Sequence, residues 1–209
     1  MNSKSIDINQ RIPLDALHIA LTCYLTDSYD ENYILEQLKL EFKGENRIKK
    51  SLRIINKIVR KNPLNNFILE NRDELLLAMR RKEDRNSILI TLLNTSFPFS
   101  FEVFCFFGKY LSVQEIINTA TISKSISNLY GGNRATEIGL YSVIPMFIEA
   151  GILNRPKTGL YELNKNFYVN SKIASAIFLE SFKLNQNIDS IQDYQLQNPY
   201  FKLMNFSKI

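Results

Sequence analysis

At 209 residues with 45% apolar content, the chain can bury a real core and is no disordered tail; it fits one domain or two small ones. Seven glycines, six prolines and no tryptophan suit a helix-rich protein better than a β-sandwich, which needs many turn residues. The net charge of +5 is unevenly spread: residues 1–40 are acidic by three, residues 41–85 carry thirteen basic against seven acidic groups, and residues 86–132 balance, so one segment meets the electrostatic precondition for a polyanion site.

The first dozen residues are polar, with no secretory signal before Cys23 and Cys105. A reduced, cytoplasmic protein with two buried thiols is therefore expected, with a disulfide as the alternative. Leu14 to Leu25 has helical spacing, with Pro13 where a missing N–H is tolerated. Glu31 to Phe42, ENYILEQLKLEF, repeats apolar residues at 34, 35, 38 and 42 and predicts a second helix, broken by Gly44 and Asn46. Arg47 to Lys61, RIKKSLRIINKIVRK, predicts a third. Its apolar stripe is Leu52, Ile55, Ile58 and Val59, and Lys49, Lys50, Arg53, Lys57, Arg60 and Lys61 fill much of the remainder. Pro63 ends it. Asn71 or Asp73 is the expected cap of a helix through Glu74–Met79, and the charged cluster Arg80 to Arg85 is expected to be a solvated surface.

Asn86–Leu93 and Phe99–Leu111 are expected as two buried helices. The apolar run Phe97 to Leu111 contains Pro98, Glu102 and Lys109 and is shorter than the ~20 residues a membrane span needs, so no membrane partner is expected. Ser112 is the expected N-cap of a helix over Val113–Thr119, with Glu115 completing a capping box. A short helix Ser123–Tyr130 and a Gly131-Gly132-Asn133 turn follow. A long helix then runs from Arg134 to Ala150, stopped by Gly151 and kinked or split at Pro145. Ile152–Leu153 and Leu160–Leu163 are strand candidates joined through Asn154 to Gly159. Helix is expected again from after Asn164 to Lys183, and the last 25 residues as a polar arm on the surface carrying Tyr200 and Phe201.

The order helix, short helix, glycine turn, long helix, glycine, strand, polar turn, strand resembles the winged helix-turn-helix domain. The resemblance rests on Phe147-Ile148-Glu149-Ala150-Gly151-Ile152-Leu153, on Arg155, and on Gly159-Leu160-Tyr161-Glu162-Leu163, and covers about a quarter of the chain. Such a domain packs one face of its reading helix on earlier helices and offers the other to the major groove. Leu140, Val143, Ile144, Phe147 and Ile148 make the packing face here, while Arg134, Glu137 and Tyr141 share another. Asn133 and Arg134 stand at the N-terminal end, where free N–H groups favour phosphate; Arg can bond guanine and Asn adenine. Arg155, Lys157 and Thr158 at the hairpin could reach the backbone or minor groove. Glu137 would repel phosphate, and the local charge of residues 133–165 is only +1. The basic helix, through Lys49, Lys50, Arg53, Lys57 and Arg60, would supply the missing phosphate contacts. On Arg47–Lys61, Phe97–Leu111 and Phe147–Leu153 together, the chain also resembles the small DNA-binding subunit of BREX phage-defence systems, the BrxA-type family. That implies a non-catalytic part of a larger defence assembly.

Signals for chemistry are sparse. The one histidine, His18, sits in an apolar helix and does not share a face with Cys23. Gly131-Gly132 lacks the spacing and the Lys-Ser/Thr of a phosphate loop. Glu41-Phe42-Lys43 with Asp27 and Asp30 upstream matches a nuclease pattern, but metal-dependent nucleases want these groups on adjacent strands. The expectation is a mostly α protein: a helical region 1–96 with the basic helix, a winged-helix region 97–165 with a small β-hairpin, and a C-terminal helix and arm 166–209. It binds double-stranded DNA without catalysis, metal or cofactor, as a transcription regulator, a homodimer or a subunit of a larger complex. The rivals are a protein-interaction adaptor with an aromatic patch including Tyr200 and Phe201, and a nuclease built on Glu41 and Lys43.

Overall fold

The apolar stripes of the N-terminal half close on one another as six helices in a computed structural model that describes residues 6–207. These are α1 (Leu14–Leu25), α2 (Glu31–Glu41), α3 (Glu45–Val59), α4 (Asn65–Glu70), α5 (Arg72–Ala78) and α6 (Lys82–Ser96). Then come α7 (Pro98–Leu111), β1 (Ile116–Asn118), α8 (Thr119–Tyr130), α9 (Arg134–Glu149), β2 (Leu153–Lys157) and β3 (Leu160–Leu163). The chain finishes with β4 (Tyr168–Val169), α10 (Lys172–Gln186), two short 3-10 turns at Asp193–Gln197 and Pro199–Lys202, and β5 (Asn205–Phe206). The protein is mostly helical, as the composition predicts. One connected apolar core runs from Ile8 to Met204.

α6 is the central pillar, buried from Asp84 to Ser96 with Arg85 alone partly exposed. Its buried polar side chains are matched mostly to backbone carbonyls: Asn86 donates to the carbonyl of Ala150 at 2.9 Å, Thr91 to Ser87 at 2.7 Å and Thr95 to Thr91 at 2.8 Å. Its first turn corrects the expectation of a solvated Arg80–Arg85 cluster. Asp84 is buried because its carboxylate accepts the backbone N–H groups of Asn170 at 2.7 Å and Ser171 at 3.1 Å, at the start of α10. Asn71 precedes α5, but its side chain bonds back to the carbonyl of Phe67 rather than capping the helix, and the cap expected there is absent.

The largest difference lies between α7 and α8. Ser112 closes α7 instead of opening a helix, and 116–118 form a strand rather than the expected helix Val113–Thr119. Ile117 is buried while Ile116 and Asn118 are exposed, a two-residue alternation that suits a sheet. The strand pairs antiparallel with β3, Ile117 opposite Tyr161, and β2 pairs on the other side of β3, so the sheet order is β1–β3–β2. The β2–β3 register shifts between Asn154 and Lys157, around Pro156, which cannot donate to a ladder. Asn118 then caps α8 by accepting from the N–H of Thr121, so that helix starts four residues before the expected Ser123.

The C-terminal segment lies on the surface through residue 199 and is then anchored in the core by Tyr200, Leu203 and Met204. Tyr200 is fully buried, its ring stacked on Phe178 with centroids 4.1 Å apart and tilted against Phe101 at 4.8 Å. A Cβ on Gly108 would lie 2.0 Å from the carbonyl oxygen of Pro199, so α7 accepts the tail only because that position is bare. β4, just before α10, pairs parallel with β5 at the end of the described chain, and α10 begins at Lys172 rather than directly after Asn164. Both cysteines are free and half-buried, neither fully sequestered nor joined.

Candidate nucleic-acid interface

α9 runs unbroken through Pro145, without the expected split, and divides its surface as its periodicity requires. Leu140, Val143, Ile144 and Phe147 are buried and Ile148 is half-buried. Gly139 belongs to the same face: a Cβ there would stand 2.7 Å from the Phe99 ring and 3.0 Å from Ile6. Arg134, Ala135, Glu137, Ile138 and Tyr141 face solvent, with Tyr141 73% exposed.

Asn133 is the N-cap of this helix. Its Oδ1 accepts from the N–H groups of Ala135 at 3.0 Å and Thr136 at 3.1 Å. The acceptor that would pair with adenine is therefore engaged in the cap, while Asn133 itself stays exposed at the helix N-terminus. At the other end, the Glu149 carboxylate accepts from the Leu14 N–H at 2.8 Å and from Arg11 Nη2 at 2.5 Å. It fixes the C-terminal end of α9 to the N-terminus of α1. Gly151 follows with φ of +81°, the left-handed position that favours glycine, and the chain turns into β2.

Arg155 and Lys157 are exposed on β2 and Thr158 on the connecting turn. The hairpin and the outer face of α9 enclose a cleft of about 240 Å³ that reaches from Thr119 to Arg155. Glu137 and Tyr141 border it, so Tyr141, Glu137 and Arg155 are brought together.

The basic helix separates into two classes of cation. Lys49, Lys50 and Arg53 are exposed, and the contact from Lys49 to Glu45 is a loose 3.9 Å between two well-solvated groups. Lys57 instead pairs with Asp7 and lies over the Phe97 ring, 4.2 Å from its centroid. Arg60 pairs with Glu31 at 3.0 Å and lies over Tyr29, 5.2 Å from its centroid. Burial and the Glu31 charge push the Tyr29 hydroxyl up to about 12, against a smaller opposing pull from Arg60. Lys57 and Arg60, expected to meet phosphate, thus each hold a carboxylate that competes for that contact. Sequence reasoning passed over Asp7 and Glu31; the acidic surplus of residues 1–40 beside the basic surplus of 41–85 is the signal that held them. Lys50, Arg53, Lys57 and Lys61 line one groove of about 430 Å³ with Asp7 as its acid.

This groove is linked to α9 by direct packing. Phe97 lies beneath Lys57, and Phe99, two residues on, meets the Tyr130 ring at 5.0 Å and the bare surface of Gly139. The segment before α1 bridges the two regions, with Asp7 on Lys57, Gln10 donating to the Arg47 carbonyl at 3.1 Å, and Ile6 beside Gly139.

The residues considered for chemistry are not brought together. Asp30 caps α2 through the Asn32 N–H, Glu41 ends the same helix about 16 Å away along its axis, and Asp27 pairs with Arg72 at 2.6 Å. Lys43 is exposed beyond the helix end. Among the described residues no group of three His, Cys, Asp or Glu side chains has the proximity to hold a metal ion. Burial and Arg85 lower the pKa of His18, partly offset by Asp15. Burial, helped by Glu102, pushes the Cys105 thiol far above its ordinary range and away from the reactive thiolate. No helix among the described residues is long and apolar enough to cross a membrane. Compared with models of protein families, with curated proteins and with solved structures, the chain gives no match in any of the three.

Proposed function

We propose that the protein binds duplex DNA without chemistry, through a winged helix-turn-helix formed by α7, β1, α8, α9 and the β2–β3 hairpin. One observation carries this reading: a helix–strand–helix–helix–hairpin order with β1 and β2 flanking β3, which leaves the N-terminal outer face of α9 in solvent beside a cationic hairpin. That is the presentation a major-groove helix needs. Arg134 is the base-reading cation, bidentate to guanine, and Glu137 one turn on accepts from a cytosine amine instead of facing phosphate. Arg155 and Lys157 meet the backbone from the hairpin. Lys49, Lys50 and Arg53 extend the phosphate track onto α3. The role is that of a regulator or of the DNA-binding subunit of a larger assembly such as a phage-defence complex.

A second reading gives the same face to a protein partner, favoured by the exposure of Ile138 and Tyr141 on α9. A fluorescence titration against random duplex at several salt concentrations, with and without magnesium, separates the two. DNA binding predicts affinity that falls steeply with salt and leaves the duplex intact. Absence of binding at low salt turns the reading to the protein partner, and magnesium-dependent cleavage overturns both.

A further inference from the structure

In the DNA-free chain the cleft between α9 and the hairpin sets two charges of opposite sign beside an apolar wall, a combination that phosphate contact alone does not explain. Its apolar wall is formed by Leu140, Ile144, Pro145 and Ile148. Glu137 and Arg155, of opposite sign, both line it, yet Glu137 and Arg155 form no ion pair with each other or with any described residue. Pro145 adds a third polar feature. It has no N–H to donate to the carbonyl of Tyr141 four residues earlier, so a backbone acceptor loses its helical partner on the stripe that carries Glu137. At about 240 Å³ the cleft is smaller than sites that hold drug-sized ligands.

We propose that this cleft is a binding site for a small amphipathic zwitterion of the amino-acid class. The apolar body lies against Leu140, Ile144, Pro145 and Ile148. The ammonium group is held by the Glu137 carboxylate and the Tyr141 carbonyl, and the carboxylate by the Arg155 guanidinium. Tyr141, exposed at the mouth, covers the bound molecule. Each charged group supplies a charge-assisted bond that an uncharged analogue cannot make. The proposal does not depend on DNA binding, because the site is complete in the free chain.

The test is isothermal titration of the full chain, without DNA, with three probes: L-phenylalanine, phenethylamine, which lacks the carboxylate, and 3-phenylpropionate, which lacks the amine. L-Phenylalanine is expected to bind, and each single-charge analogue to bind about tenfold more weakly. Glu137→Gln removes the advantage of L-phenylalanine over 3-phenylpropionate, and Arg155→Ala removes its advantage over phenethylamine. Both residues are exposed, so the variants keep the fold, checked by circular dichroism. No binding of L-phenylalanine at millimolar concentration overturns the proposal. Equal binding of all three probes, or binding unchanged in both variants, overturns it as well.

Discussion

The separation of the α3 cations into free and committed groups makes a quantitative difference to DNA binding. Five cations assigned to phosphate at the proposed interface have no tight carboxylate partner: Lys49, Lys50, Arg53, Arg155 and Lys157. If each neutralises one phosphate, log K falls with log salt with a slope of about −4.5. Lys57 differs because Asp7 already neutralises it. Moving Lys57 onto a phosphate releases a counterion from DNA but strands Asp7, which recruits a cation in turn, so net release is near zero. Arg53→Ala should therefore reduce the slope by about 0.9, to about −3.6. Lys57→Met, which keeps the aliphatic cover over Phe97, should leave it unchanged. Asp7→Asn frees Lys57 and should steepen the slope to about −5.4 with tighter binding at low salt. The assay is fluorescence anisotropy of a labelled duplex titrated at five or more salt concentrations. Equal slope losses in Arg53→Ala and Lys57→Met would refute the distinction between free and committed cations, and an Asp7→Asn variant that binds like the parent would refute the masking by Asp7.

Other parts of the structure give independent expectations. Arg134→Ala should cost about 1–3 kcal/mol on the preferred duplex and flatten base preference, whereas an equal loss on all sequences would make Arg134 a phosphate contact. Tyr200→Ala removes a fully buried ring and should cost about 3–5 kcal/mol, lowering Tm by about 6–20 °C in a thermal melt; Tyr200→Phe should cost about 1 kcal/mol, and an alanine variant with the parent Tm would return the tail to the surface. Glu149→Ala strips the Leu14 N–H of its acceptor and should destabilise by about 1–2 kcal/mol, more than Arg11→Ala, whose partly exposed ion pair is screened; the reverse order in urea melts would sink the capping role. The lowered pKa of His18 means that the unfolded chain binds the extra proton first, so stability should fall as pH drops below about 6.5 toward the folded-state value. His18→Gln should flatten that part of a stability-versus-pH series, and an unchanged profile would assign the acid sensitivity elsewhere.

What was legible in the sequence follows the range of the forces involved. α1, α2, α3 and α9 announce themselves because the burial of a helical stripe is written in neighbours three and four residues apart, and the packing face of α9 came through almost residue for residue. β1 did not. Its partner β3 lies more than forty residues away, and Ser112 with Glu115 satisfies a local capping pattern that the distant strand overrides. Asp84 misled for the same reason: in its own charged segment it reads as solvated, and only the start of α10, arriving from residue 170, gives its carboxylate two N–H groups. Tyr200 looked like an exposed aromatic because its polar neighbours hide the fact that Phe178 and Gly108 prepare a place for it.

The candidate interface divides along the same line. The exposure of Lys49, Lys50, Arg53, Tyr141, Arg155 and Lys157 follows from local pattern alone, since nothing in the helical or hairpin register buries them. Whether a surface cation is available to a ligand is a different question, and its answer is non-local. Asp7 reaches Lys57 across fifty residues of sequence and Glu31 reaches Arg60 across twenty-nine. Charge counts within the basic helix treat all its cations alike, while the fold has already assigned two of them. A polyanion surface read from charge density alone is therefore an upper bound, and in this chain the carboxylates that lower it come from the acidic segment that precedes the basic one.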